Sequence, residues 1–318
     1  MSFTTEVKQE IAQNELKDCC KKAELSALIQ LCSTLSISNK GLTLLIKTEN
    51  ATTAKRTWKM LKECYGVETD LSVMKKMNLK KNNIYYIRVL NKAREILEDL
   101  GLYSSRGLLS HPLQSIVTKE CCARAYLAGA FMAMGSVNAP QKTSYHLEIG
   151  TSSNEHAEFI VKVMNRFELP GKTILRRNQH VVYIKAADKI SDFLRLIGAF
   201  ESLMKFEDIR IHRDFKNSLT RLDNCEVANE VKSQNAAKKQ LEDIAVIEDA
   251  GKMELLDERL FEIAILRKEN PELSLNELSK EYERQKGVVM SKSGMKHRFT
   301  KIQELAEKIK MQNSVHSQ

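Results

Sequence analysis

The chain has 318 residues, with 50 Lys plus Arg against 41 Asp plus Glu and a formal net charge of +9. That length exceeds what one hydrophobic core usually serves and predicts two or three compact units, while 42% apolar and 29% charged residues exclude a mainly disordered chain. No run approaches the roughly 18 uninterrupted apolar residues of a spanning helix, seven cysteines do not make a disulfide framework, and the modest positive charge permits nucleic acid without demanding it.

The opening run MSFTTEVKQEIAQNELKDCC is charged and amphipathic with no continuous apolar stretch, so it reads as part of a cytoplasmic protein and not as a signal peptide. From Lys17, KDCCKKAELSALIQLCSTLSIS aligns without a gap on KECCARAYLAGAFMAMGSVNAP from Lys119. The alignment pairs Cys19-Cys20 with Cys121-Cys122, Ala23 with Ala125 and Leu25 with Leu127. Downstream, LLIKTENATTAKRTWKML from Leu44 matches LEIGTSSNEHAEFIVKVM from Leu147, and YYIRVLNKAREILEDLG from Tyr85 matches VYIKAADKISDFLRLIG from Val182. The chain is therefore predicted to open with two copies of one unit of about a hundred residues, over 1–104 and 105–216, followed by a third region over 217–318.

Each copy begins with an apolar helix and a short hairpin, signalled in the first by Asn39-Lys40-Gly41. An amphipathic helix follows, capped by Asn50 or Asn154. A second strand pair ends on the period-two runs NNIYYIRVL and HVVYIKA, and a last short helix stops at Gly101 or Gly198. The predicted order is α-β-β-α-β-β-α in each copy. In the opening helices Ala128, Gly129, Ala133 and Gly135, with Ser26, Ala27 and Ser33 in the other copy, are small residues that let two backbones approach, so these helices are expected to pack on each other.

After Phe215 helix formers dominate, and Leu222 to Ile247 reads as one or two connector helices. Leu256, Leu260 and Ile263 recur at helical spacing until Asn270-Pro271 breaks the run. Ser274 with Glu277 three residues on has the capping-box pattern, and that helix carries Leu275 and Leu278. Past Gly287 a last helix begins near Ser291 or Ser293, with Met295, Phe299, Ile302, Ala306 and Ile309 as its apolar stripe. Ser293, Lys296, His297, Thr300 and Lys301 then lie on the opposite or flanking side, placed for a major groove. From Arg284 to Lys310 the bases Arg284, Lys286, Lys292, Lys296, Arg298, Lys301, Lys308 and Lys310 face only Glu304 and Glu307. A basic terminal helix after an acidic scaffold is the footprint of a groove reader, although a merely solvated basic helix has the same charge.

Two stretches resemble known families. LAGAFMAMG, Leu127 to Gly135, resembles the LAGLIDADG motif of homing endonucleases, whose paired motif helices bring two acids together to hold divalent metal over DNA. The acid's position, the eighth of the motif, is Met134 in the second copy and Cys32 in the first; the sixth is Met132 and Gln30. Neither a thioether nor a thiol suits a hard cation such as Mg²⁺. The resemblance thus implies the scaffold without the catalysis, with no catalytic residue, metal or cofactor assigned. Taken whole, the chain resembles the WhiA family of bacterial sporulation and cell-division regulators, through CC-x-RAYLAGAF at Cys121, the YHLEI strand at Tyr145, the junction RLDNCEVAN from Arg221 and the terminal SKSGMKHR.

That resemblance implies an α+β protein: a pseudo-two-fold LAGLIDADG-like domain of two α-β-β-α-β-β-α repeats, then an all-α helix-turn-helix domain. It further implies a sequence-specific, nucleoid-associated transcriptional regulator acting on double-stranded DNA in cell division, chromosome segregation or sporulation, with other regulators or division proteins as partners. The expected DNA-binding segment includes Leu275, Glu277, Leu278 and Ser291, with Ser293, Lys296, His297 and Thr300 toward bases and Lys292, Arg298 and Lys301 toward phosphates. Lys75, Lys76, Lys80 and Lys81, with Arg176 and Arg177 in the second copy, either flank a duplex or blunt sheet edges. The rivals are a protein-interaction scaffold of the division machinery with secondary DNA binding, and an active endonuclease whose acids lie elsewhere.

The two Cys pairs recur at matching helix starts, but adjacent cysteines lack the C-x₂₋₄-C spacing of zinc sites and read as small buried hydrophobes. No Walker A loop, G-x-S-x-G or H-E-x-x-H is present, and His146 and His156 read as structural. A duplicated chain pairs its own motif helices as a monomer, which leaves the oligomeric state open.

Overall fold

The computed structural model describes residues 2–38, 41–75 and 83–315. The turn at Asn39-Lys40 and the lysines Lys76, Lys80 and Lys81 lie outside the described residues. The chain divides into two compact units, Met1–Arg213 and Asp214–Gln318.

The first unit opens with α1, Phe3–Ile11, capped by the Ser2 hydroxyl and burying Phe3, Val7 and Ile11 at a spacing of one helical turn. The first repeat follows as α2 (Asp18–Cys32), β1 (Ser33–Ser38), β2 (Gly41–Thr48), α3 (Ala51–Tyr65), β3 (Thr69–Lys75), β4 (Asn83–Val89) and α4 (Ala93–Asp99). A two-stranded link, β5 (Tyr103–Ser104) and β6 (Gly107–Leu108), leads to the second repeat. That repeat is α5 (Glu120–Met134), β7 (Gly135–Val137), β8 (Leu147–Thr151), α6 (Asn154–Asn165), β9 (Lys172–Arg176), β10 (Gln179–Ile184) and α7 (Ala187–Leu196).

The α-β-β-α-β-β-α order appears in both copies, and the sheets repeat it, with antiparallel orders β1-β2-β4-β3 and β7-β8-β10-β9. Asn50 caps α3 by accepting from the Thr53 amide. In the second copy the cap is Ser153, accepting from His156, and not Asn154, which is the first helical residue. Both residue types cap well, so the residue whose backbone is extended takes the role. Gly101 and Gly198 adopt φ of +66° and +78° just beyond α4 and α7, the left-handed turn that releases the chain from a helix.

The two opening helices pair as expected. A Cβ on Gly129 of α5 would stand 2.4 Å from the Glu24 carbonyl oxygen and 3.1 Å from the Ala27 Cβ of α2, so the backbones touch at this point. Leu25, Leu28, Ile29, Leu127 and Phe131 bury fully around the contact. Glu24, itself buried, is held by Arg56 of α3 through Nε at 2.9 Å, and Arg56 also donates to the Ala12 carbonyl. Sequence periodicity gave no sign of this buried pair.

The predicted connector forms part of a single helix, α8 (Phe200–Asp249), where the sequence left one or two open. In the second unit α9 (Glu258–Glu269), α10 (Leu275–Lys286) and α11 (Lys292–Val315) close a core of Ile244, Ile247, Ile263, Leu278, Met295, Phe299, Ile302, Ala306 and Ile309. Arg267 is buried within it, donating to the Asn270 and Leu273 carbonyls at 3.2 and 2.5 Å and lying 5.5 Å from the Phe299 ring centre.

Candidate nucleic-acid interface

Helices α10 and α11 meet through a tight turn. The capping box closes at both ends, with the Ser274 hydroxyl accepting from the Glu277 amide and the Glu277 carboxylate from the Ser274 amide at 2.8 Å. At the other end Gly287 takes φ of +69° and stops α10. The Ser279 hydroxyl donates to the Met290 carbonyl and ties the turn to α10. Ser291 accepts from the Gly294 amide and so starts α11.

The predicted stripe is the buried face: Met295, Phe299, Ile302, Ala306 and Ile309 each pack into the core. On the other side Ser291, Lys292, Ser293, Lys296, His297, Thr300 and Lys301 are exposed. The Thr300 hydroxyl donates to the Lys296 carbonyl at 3.1 Å. Among the described residues no ion pair is formed by Lys292, Lys296 or Lys301.

Four of the expected residues are placed differently from that exposed row. Leu278 is fully buried in the core and Leu275 half-buried against it, so neither presents its side chain as a contact. Glu277 spends its carboxylate on the capping box, which also holds that group below the usual carboxylate range. Arg298 is half-buried with its guanidinium 3.0 Å from the Met290 sulfur. The basic count also overstated the available charge. Arg284 pairs with Glu281 at 2.7 Å, Lys286 with Glu262 at 2.6 Å and Lys310 with Asp243 at 3.4 Å.

In the first unit cross-strand partners share a face, which sorts the expected contacts by register. Ile46 with Ile87 and Leu44 with Val89 face the helices and are buried. The open face carries Lys47 with Tyr86 and Leu45 with Arg88. Lys75 pairs with Asn83 on the same parity as Leu71 with Ile87, so it stands on the helix side and not beside Lys47 and Arg88. On the second sheet Arg176, opposite Gln179, shares the open face with Lys172 and Tyr183, while Arg177 occupies the hairpin turn at φ +51° beside Asn178 at +60°. Each open face thus bears a tyrosine with a cation near its ring: Lys47 over Tyr86 at 5.9 Å and Lys185 over Tyr183 at 5.3 Å. The repeat alignment places Tyr86 opposite Tyr183 and Arg88 opposite Lys185, and strand alternation was the signal that would have found them.

At the C-terminal ends of the paired helices stand Cys32 and Met134, in place of a motif acid. Burial pushes the Cys32 thiol up to about 11, opposed by nearby Lys8, and pulls Lys8 down to about 8, opposed by Cys32. Lys8 also lies 5.9 Å from the Phe131 ring centre. An ammonium occupies the end of the helix pair where a hard cation would need carboxylates. Among the described residues one group of three or more ligating side chains converges, and it consists of thiols: Cys19, Cys20, Cys121 and Cys122.

These features define a class: a LAGLIDADG-like α+β scaffold joined to a helix-turn-helix DNA-binding domain. Three family profiles match in order, the WhiA N-terminal LAGLIDADG-like domain over residues 18–103, the WhiA LAGLIDADG-like domain over 123–216 and the WhiA C-terminal HTH domain over 219–306. The chain is 46% identical over 316 residues to a probable cell division protein WhiA of Bacillus cereus (strain G9842), covering 99% of each chain. The corresponding protein of Bacillus cytotoxicus is also 46% identical over 316 residues, with 99% of both chains covered. The full-length WhiA crystal structure from Thermatoga maritima superposes with a TM-score of 0.57 at 22% identity, over 97% of this chain and 99% of that one, which supports the shared fold. The chain belongs to the WhiA family.

Proposed function

We propose that the chain is a sequence-specific DNA-binding transcriptional regulator of bacterial cell division and chromosome segregation or sporulation, on a scaffold that has lost nuclease chemistry. The observation that carries this is the exposed row Lys292, Ser293, Lys296, His297, Thr300 and Lys301 on the first turns of α11, whose other side is fixed in a core. Groups at the start of a recognition helix are nearest base edges. Ser293, Lys296, His297 and Thr300 are assigned to bases and Lys292 and Lys301 to phosphates, with Ser291 capping the helix that presents them.

The open faces of the two sheets, with Lys47, Arg88, Lys172, Arg176 and Lys185, add sequence-independent affinity for the phosphate backbone. Residues 1–104, 105–216 and 217–318 are then two scaffold repeats and one reading domain. The protein acts in the cytoplasm on the nucleoid. Relatives named as probable cell division proteins support the cellular assignment. Cys32, Met134 and the Lys8 ammonium support the loss of catalysis, since Mg²⁺ requires oxygen ligands.

The test is retardation and nicking of supercoiled plasmid and genomic fragments by the full chain with Mg²⁺ present. Selected fragments are retarded and none is nicked; chelator-sensitive nicking refutes the inactive scaffold. Lys296→Ala costs affinity mainly for the preferred site, whereas Lys301→Ala weakens all sequences and lowers the salt slope by about one. Unchanged footprints for both variants refute the assignment of α11.

A second reading, a scaffold for division proteins, is favoured by Phe215, Leu219 and Leu222, large apolar side chains exposed along α8. Deleting residues 275–318 separates the two. A regulator loses its genomic sites, and a scaffold keeps its protein partners.

A further inference from the structure

Four thiols meet at the N-terminal ends of the paired helices, the end opposite Cys32 and Met134. The Sγ atoms of Cys19, Cys20, Cys121 and Cys122 all lie within 4.8 Å of one another, and those of each adjacent pair are 4.0 Å apart. We propose that these four cysteines bind one soft divalent cation, zinc foremost, in a tetrathiolate site that clamps the first turns of α2 and α5 together.

The geometry is close to what such an ion requires. Zinc–sulfur bonds of about 2.3 Å in a tetrahedron put the sulfurs about 3.8 Å apart. The observed separations exceed that by less than about 1 Å, a distance that side-chain rotation covers. The adjacency that argued against zinc in the sequence is overcome by the fold. Two neighbouring thiols on one helical turn need only share a direction, and their 4.0 Å separation shows that they do. The other two ligands come from the second repeat, so no C-x₂₋₄-C spacing is needed. Thiolates select soft or borderline ions over Mg²⁺ and Ca²⁺. Separations this short fit one ion better than an iron–sulfur cluster, whose thiolate pairs stand on different metal atoms.

The surroundings suit a charged complex. Cys19 and Cys20 are the second and third residues of α2, and Cys121 and Cys122 those of α5. Neither Lys17 nor Lys119, the residues at the two N-caps, supplies a side-chain cap, so the positive ends of both helix dipoles stand beside the thiolates with no capping side chain between. Two sulfurs are buried, Cys20 and Cys122, whereas Cys121 is exposed, which a role as a small core hydrophobe does not explain. A cavity of about 420 Å³, lined by Cys20, Cys121, Lys17 and Arg124 among others, opens onto the site and gives an ion a way in. Binding replaces four S–H bonds by four S–metal bonds and releases four protons, with no change of oxidation state.

The competing chemistry is oxidation to inter-repeat disulfides. The experiment uses the full chain, reduced and metal-stripped, titrated with Co²⁺ and then Zn²⁺. Co²⁺ gives a thiolate-to-metal charge-transfer band and intense tetrahedral ligand-field bands, one ion per chain, and Zn²⁺ displaces it. Cys121→Ser and Cys20→Ser each lower affinity by more than the roughly 100-fold typical of losing an outer-shell partner; Cys225→Ser leaves it unchanged. Cys121→Ser alters an exposed atom, and its thermal midpoint in chelator equals that of the parent chain, so loss of metal is separable from loss of fold. Absence of the thiolate band from the reduced chain overturns the proposal. So does equal binding by Cys121→Ser and the parent, or recovery of inter-repeat disulfides without metal from cells lysed under alkylating conditions.

Discussion

Gly129→Ala tests the helix pair at its closest point. The new Cβ would stand 2.4 Å from the Glu24 carbonyl oxygen and 3.1 Å from both the Glu24 carbonyl carbon and the Ala27 Cβ. Two of these three atoms are backbone, so no flexible side chain can swing aside. The helices must part, and the fully buried Leu25, Leu28, Leu127 and Phe131 around the contact resist that. Glu24 also carries the Arg56 ion pair at 2.9 Å, which would be displaced with its own backbone. Overpacking of this kind costs about 1–3 kcal/mol, and a clash against backbone belongs at the upper end. Alanine's better helix propensity returns about 1 kcal/mol. The net loss of about 2 kcal/mol lowers the melting midpoint of a unit this size by roughly 4–8 °C. Thermal melting by circular dichroism, with a urea titration to confirm an unchanged m-value, measures it. A midpoint that stays or rises would mean that propensity prevails and that the two backbones are not in contact.

Two further outcomes follow from buried polar groups and a third from a helix cap. His156 is fully buried with its Nε2 2.7 Å from the Tyr126 hydroxyl, and burial, helped by His111, lowers its pKa to about 4. The unfolded chain then binds a proton that the folded one refuses, so stability falls as pH drops from about 6.5 to about 4, by about 3 kcal/mol in all. The urea stability of the parent minus that of His156→Gln should narrow over this window; a constant difference would show that His156 does not titrate there. Arg267→Ala strips the Asn270 and Leu273 carbonyls of their donor and opens a cavity under Phe299, for a loss of about 3 kcal/mol in the second unit. Urea unfolding with wild-type stability would refute that role. Ser274→Ala breaks the capping box and costs about 1 kcal/mol, while Ser274→Asp retains most of the stability; equal losses would put the cap elsewhere.

Internal repetition made most of the first unit legible. A gapless match between Lys17 and Lys119 carries the helix starts, the strand order and the glycine stops together, because each is a local property that two copies of one sequence share. The stripe from Met295 to Ile309 was legible for a similar reason, since helical spacing alone decides which face is buried. Contacts set by tertiary placement were not. The Glu24–Arg56 pair joins residues 32 apart on different helices, and Arg267 reads in sequence as one more surface cation. Lys286 and Lys310 counted toward a basic face, yet each is neutralised by an acid brought from a distant segment, Glu262 and Asp243. Strand register exchanged Lys75 for Lys47 and Arg88, a distinction of one residue in parity that composition cannot express.

The thiol cluster shows the same limit and joins the two ends of the helix pair in one account. Spacing rules for metal sites assume that neighbouring ligands come from one loop, whereas here pseudo-symmetry supplies each half from a separate repeat. At the C-terminal end Lys8 puts a cation beside Cys32, the last residue of α2, where the helix dipole favours positive charge. That end holds a resident ammonium and no motif acid, so it has little electrostatic reason to recruit Mg²⁺. At the N-terminal end the dipoles of both helices favour anions, and the side chains placed there include four thiols beside Asp18 and Glu120. The same two helices therefore oppose hard-metal chemistry at one end and favour soft-metal binding at the other. With the proposed ion in place, the thiolate end of the pair clamps the first turns of α2 and α5 and stiffens the scaffold that carries both sheets.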